Sequence, residues 1–137
     1  QKGQTCVVHT KGNEAVHIIL RGGRSGPNYY EETVEDAAES MKAEGLEPSI
    51  VIDCSHSNSG KNFKKQERVL RSVIDQKLRG NGALVGFMLE SNLAEGKQEI
   101  GGKKSLVYGC SVTDECVGWE ETEKIILSGY DKLRRKE

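Results

Sequence analysis

The sequence predicts an α/β fold built on parallel strands, and two observations predict it. Three apolar runs, VHIILR (16–21), IVIDCSH (50–56) and ALVGFMLE (83–90), each close on an ionisable residue: Arg21, His56 and Glu90. These residues stand 35 and 34 positions apart, the length of a strand, a loop, a helix and a return, which is one βα unit. Parallel strands that each deliver an ionisable group at the C-terminal end gather those groups on one face. That face is where barrel and open α/β enzymes keep their active sites.

The elements follow in order. TCVVHT (5–10) and the turn KGNE predict a hairpin with the strand at 16–21. Gly22-Gly23 ends that strand, and a polar loop runs through Pro27 to about Tyr30. Residues 31–44 place Val34, Ala37, Ala38 and Met41 on one helical face, with Gly45 as the C-terminal stop. The strand at 49–54 is apolar except for Asp53, as expected when both faces are covered. After SHSNSGK, a helix is predicted over 61–79 with Phe63, Gln66, Leu70, Val73, Ile74 and Lys77 near one stripe and Gly80 as its stop. The third strand is 83–89. Residues 91–110, rich in glycine and charge, show no period, and a loop of that length is either functional or a sign of a missed element. The last helix, 118–135, carries Thr122, Ile126, Gly129/Tyr130 and Leu133 on one face. The resulting organisation is a hairpin at 1–15 and successive βα units at 16–48, 49–82 and 83–137.

A chain of 137 residues makes one domain with one core. The net charge of −1 gives no general attraction for nucleic acid or anionic membranes. The basic cluster Lys132, Arg134, Arg135 and Lys136 suits the negative C-terminus of the last helix. No apolar run approaches the roughly 18–20 residues that span a bilayer. The start, QKGQTC, is too polar for a signal peptide and lacks an initiator Met, so the chain is expected to be a processed or truncated piece of something longer. Cys6, Cys54, Cys110 and Cys116 form no C-x-x-C pair and read as small apolar side chains in a reducing, cytoplasmic setting. Three βα units do not close a barrel, which needs eight strands. Alone they would leave apolar edges open, so the pattern reads as part of a larger α/β structure.

Arg21, followed by Gly-Gly, is either an anion-binding group beside approachable backbone N–H groups or a salt-bridge partner within the fold. His56 and Glu90 at neighbouring strand ends, with Asp114 or Asp53 nearby, offer the N and O ligands of a divalent metal. Against this, a His after a strand is often a loop hydrogen-bonder, and Thr113-Asp114 can cap a helical turn. His9 and His17 read as structural.

ILRGG (19–23), NY (28–29), IDCSHSNSGKNFKKQ (52–66), GFMLESNLAEGKQ (86–98) and YGCSVTDECVGWEET (108–122) together resemble the C-terminal part of the type Iα 3-deoxy-D-arabino-heptulosonate-7-phosphate (DAHP) synthases. These are phospho-2-dehydro-3-deoxyheptonate aldolases, the feedback-regulated enzymes that open the shikimate pathway. The resemblance implies a (β/α)8 TIM barrel, of which this chain supplies the last three βα units and the preceding hairpin. It implies condensation of phosphoenolpyruvate with erythrose 4-phosphate, with release of phosphate, assisted by a divalent metal ion whose identity (Mn, Fe, Co or Zn) the residues do not distinguish.

By the same resemblance, Arg21 binds phosphoenolpyruvate, His56, Glu90 and Asp114 bind metal, and His56 is the catalytic candidate. Val8, in the hairpin, is the candidate contact for an aromatic amino acid effector. The family's fourth metal ligand, a Cys, has no counterpart here, nor does its K-P-R-T-[ST] sugar-phosphate segment, and Cys54 stands where the family usually has an aromatic residue. The isolated chain is therefore expected to be inactive, completed by homo-oligomerisation or by the missing barrel half. Two alternatives stand beside this: an inactive half-barrel that self-associates, and an octulosonate-phosphate synthase acting on arabinose 5-phosphate. The SVTDECVGWEET block and the hairpin argue against the second.

Overall fold

Strand-forming runs joined by helical ones produce a layered arrangement. The computed structural model describes residues 3, 5–13, 15–101 and 105–135. Three strands, β1 (Ile18–Leu20), β2 (Ile50–Asp53) and β3 (Leu84–Met88), lie side by side in that order, every pairing parallel. Helices α1 (Glu31–Ala43) and α2 (Gln66–Leu78) are the crossovers, and α3 (Trp119–Arg134) follows β3 after a long loop. The register sets Ile18 beside Ile50 and Ile50 beside Leu84, with an irregularity between Ile50 and Val51.

The core lies between the sheet and its helices. Ile50 and Ile52 of β2 are fully buried against Val34 and Met41 of α1 and Val69, Leu70, Val73 and Ile74 of α2. Each such side chain stabilises the fold by about 1.5–3 kcal/mol. Val34, Ala38 and Met41 recur at helical spacing, so α1 buries one stripe and leaves its charges in solvent. Both crossovers stop by the same device. Gly45 N–H donates to Lys42 O and Leu46 N–H to Met41 O, and after α2 Gly80 N–H donates to Lys77 O and Asn81 N–H to Gln76 O. Each glycine takes a positive φ to allow this pattern.

Three expectations are corrected. Residues 5–13 form no strand, so the hairpin is not made there. Val7 and Val8 are 83% and 73% exposed and meet no apolar surface that would hold a strand in place. The helix over 61–79 is divided, because Asn62 caps a 3-10 turn, Phe63–Lys65, before α2 begins. On α3 the buried residues are Thr122, Ile125 and Gly129, whereas Ile126, Tyr130 and Leu133 stay exposed. A Cβ on Gly129 would lie 2.6 Å from Ile74 Cδ1, so the close contact with α2 turns the face toward Gly129. The basic end of α3 stands as expected, with Lys132 and Arg134 in the last turn; Lys132 also pairs with Asp75 and Arg134 stacks on Tyr130, while Lys136 lies outside the described residues.

Candidate metal centre

Because all three strands run parallel, their C-terminal ends share one edge of the sheet. Arg21 comes immediately after β1, His56 three residues after β2 and Glu90 two residues after β3. The long loop then returns Asp114 to the same place. Val117 N–H donates to Glu90 O (2.8 Å), Asn92 N–H to Val117 O, and Gly96 and Cys116 exchange two backbone hydrogen bonds. Gln98 braces the loop from within, its amide bonding to Val107 and Cys110. The aperiodic stretch therefore serves to carry Asp114 back to the strand ends. No helical turn begins at Thr113-Asp114, so the capping role is excluded, and Gly118 is the N-cap of α3.

His56, Glu90 and Asp114 each offer a ligand atom, and these atoms lie within 4.8 Å of one another. His56 Nε2 is 3.6 Å from Glu90 Oε1 and 3.8 Å from Asp114 Oδ2. Those separations are too long for hydrogen bonds and close to those of ligands sharing one ion at about 2.0–2.2 Å. A neutral imidazole with two carboxylates is a donor set suited to a divalent transition ion.

The opposite side of the imidazole is fixed. His56 Nδ1 lies 2.8 Å from Asp53 Oδ2 and 2.7 Å from Ser55 Oγ, while Ser55 N–H and Oγ–H both donate to Asp53 Oδ1. A proton on Nδ1 facing Asp53 leaves the Nε2 lone pair aimed at Glu90 and Asp114, the usual arrangement of a metal-ligating histidine. Asp53, one of two carboxylates considered as a ligand, is therefore the orienting group, and Asp114 is the ligand candidate.

Two further residues hold the site, and the sequence reading does not single out either in this role. Gln66 is fully buried; its Oε1 accepts from Glu90 N–H (2.8 Å) and its Nε2 donates to Glu90 O (3.1 Å), clamping the backbone that carries the carboxylate. A polar residue on an otherwise apolar helical stripe is its legible signal. Asn58 ties the exits of β1 and β2 together, donating to Leu20 O and Asp53 O and accepting from Asn28 N–H. Gly22 completes the junction: its N–H donates to Asn28 Oδ1, its φ is 77°, and a Cβ there would lie 2.5 Å from Ser57 Cβ.

Arg21 is exposed and, among the described residues, makes no hydrogen bond or ion pair. It lies at the same sheet edge but outside the three-residue cluster. Val8 is distant in the chain and exposed, and His9 and His17 are exposed as well. Burial, with the nearby Asp53 charge, pushes the Cys54 thiol up to about 12. Burial first, then the charges of Glu90 and Asp114, pushes the Cys116 thiol up against an opposing hydrogen bond with Ser111. Neither thiol joins the cluster.

The fold and site define an α/β protein with a parallel sheet whose C-terminal edge gathers a histidine and two carboxylates, a group that could hold a metal ion. The match is more particular than the class. The model of the DAHP synthetase I family matches residues 1–127, and the chain belongs to that family. It is 45% identical to the phenylalanine-inhibited phospho-2-dehydro-3-deoxyheptonate aldolase of Saccharomyces cerevisiae, over 98% of this chain and 39% of that protein. It is 42% identical to the Tyr-sensitive enzyme of Escherichia coli K12, over 97% of this chain and 37% of that one. The solved phospho-2-dehydro-3-deoxyheptonate aldolase of Francisella tularensis superposes with a TM-score of 0.86 at 41% identity, over 93% of this chain and 37% of that one. The chain thus spans less than two-fifths of the length of each of these three relatives.

Proposed function

We propose that the complete protein is a metal-dependent DAHP synthase that condenses phosphoenolpyruvate with erythrose 4-phosphate and releases phosphate, and that this chain is the C-terminal set of βα units in its (β/α)8 barrel. The observation that carries the proposal is the convergence of His56, Glu90 and Asp114 at the strand ends of a chain belonging to this family. His56, Glu90 and Asp114 would hold the ion, which when bound acts as a Lewis acid on the aldehyde carbonyl of erythrose 4-phosphate. Asp53 keeps the His56 Nε2 lone pair free for that duty, and Gln66 keeps Glu90 from drifting. Arg21, free at the neighbouring strand end, holds the phosphoenolpyruvate phosphate by a two-pronged contact. A cytoplasmic location goes with this reading, supported by four cysteines that are all unpaired. An aromatic amino acid is proposed as the effector, with Val8 as its candidate contact.

The test is release of inorganic phosphate by the complete protein when both substrates and a divalent metal are supplied. Turnover that stops on chelation and returns with metal is expected, as is its loss in His56→Ala. Turnover indifferent to chelation, or arabinose 5-phosphate used in preference, would overturn the proposal. A second reading, an inactive half-barrel, is favoured by the exposed apolar residues on the sheet, Ile19 and Met88. The same assay separates the two.

A further inference from the structure

Glu90 is held from the α2 side through Gln66, and the residue after it is held by α3. Ser91 Oγ lies 2.6 Å from Thr122 Oγ1. Thr122 is buried in the first turn of α3. Its hydroxyl donates back to Gly118 O at 2.9 Å, beside the helical bond from its own N–H to the same oxygen. With its one proton on Gly118 O, Thr122 Oγ1 accepts from Ser91, so the hydrogen bonds run from Ser91 through Thr122 to Gly118. A helical threonine commonly bonds the carbonyl four residues back and needs nothing more. Here the same hydroxyl takes a second, short bond to a strand exit.

The two ends of that chain of bonds are the segments that carry the carboxylates. Ser91 directly follows Glu90, and Gly118 stands four residues after Asp114. The backbone joins the same segments: Ser91 and Val117 form a parallel bridge, Val117 N–H donates to Glu90 O, and Asn92 N–H donates to Val117 O. So short a ladder has little rigidity of its own. The Glu90 and Asp114 side chains are 29% and 59% exposed, so packing does not set their aim. The backbone beneath them must. The Thr122 hydroxyl ties that backbone to a helix which Gly129 seats closely against Ile74 of α2.

We propose that the Thr122 hydroxyl, acting through Ser91, is a positioning group that holds the Glu90 and Asp114 segments at the separation one metal ion requires. It touches neither the ion nor a substrate, and it acts through the backbone of the two ligands. The proposal rests on the metal-centre reading above.

The test is calorimetric titration of the metal-free complete protein with Mn²⁺, with thermal melting of the metal-free form measured alongside. Thr122→Val keeps the branched shape and removes both side-chain bonds, while Gly118 O keeps the backbone N–H of residue 122. Ser91→Ala removes the partner from an exposed position and leaves the Thr122–Gly118 bond in place. Each variant is expected to weaken Mn²⁺ binding by about tenfold. The double variant should lose no more than either alone, because both remove the same interaction, and Thr122→Ser should recover the affinity. Metal-free Ser91→Ala should melt with the unaltered protein. Mn²⁺ bound equally well by either single variant, or losses that multiply in the double variant, would overturn the positioning role and leave the metal centre standing. Early melting of metal-free Ser91→Ala would mark a general brace of the fold and overturn it as well. Failure of the unaltered protein to bind Mn²⁺ would overturn the metal centre and the positioning role with it.

Discussion

At the scale of single residues, small groups fix what the larger ones do. Asp53 contributes no ligand, yet it sets which nitrogen of His56 faces the carboxylates. Asp53→Asn is expected to lower divalent-metal affinity by about 10–100-fold without unfolding the protein, as loss of such an orienting carboxylate commonly does; competition against a chromogenic chelator would show it. Gly22 is a backbone requirement. Its positive φ, and the overlap a Cβ would have with Ser57 and Asn58, leave no room for a side chain. Gly22→Ala should cost about 1–3 kcal/mol, read as a lower urea midpoint.

Cys54 titrates far above its ordinary 9.0, at about 12, because burial disfavours its thiolate. A folded value above the unfolded one means that its contribution to stability is complete below pH 9 and is lost as the pH rises toward 12. Alkaline unfolding curves of Cys54→Ala should be flatter over that window. Unchanged curves would show that the burial of this thiol is not what the alkaline limb reports.

At the scale of elements, β strands aim the groups and the segments around them hold the aim. The clearest case is α2 against β3, where Gln66 satisfies both backbone groups of Glu90. Gln66→Leu should cost about 1–3 kcal/mol by leaving the Glu90 N–H unpaired, while Glu90 O keeps the Val117 N–H, and should also weaken metal binding. Thermal melts with and without metal separate the two effects. This level also shows what the sequence could and could not reveal. The parallel strands, both crossover helices and the positions of Arg21, His56 and Glu90 follow from apolar runs of fixed spacing, because burial imposes that periodicity. Residues 5–13 form no strand because β-forming composition makes a strand only where a surface receives it, and Val7 and Val8 find none. The α3 face differs by one position because an apolar stripe does not reveal which side a neighbouring helix approaches, which here is decided by Gly129 against Ile74. Asp114 as a ligand rests on family resemblance, since its placement depends on bridges between residues distant in sequence.

At the scale of the whole molecule, the sheet is covered on one face. Ile19 and Met88 are exposed, whereas parallel sheets are ordinarily covered on both faces. This is the condition expected of units whose inner face closes on further strands in a barrel. The 137-residue chain by itself is predicted to self-associate in size-exclusion chromatography and to turn over no substrate, the proposed turnover belonging to the complete protein. The central claim remains chemical: three side chains from two strand exits and one returning loop make a single metal site. The most direct test is calorimetric titration of the metal-free complete protein with Mn²⁺, beside the variant carrying Glu90→Gln and Asp114→Asn. One ion per chain in the first and none in the second is the predicted result. Equal binding by both would contradict the claim.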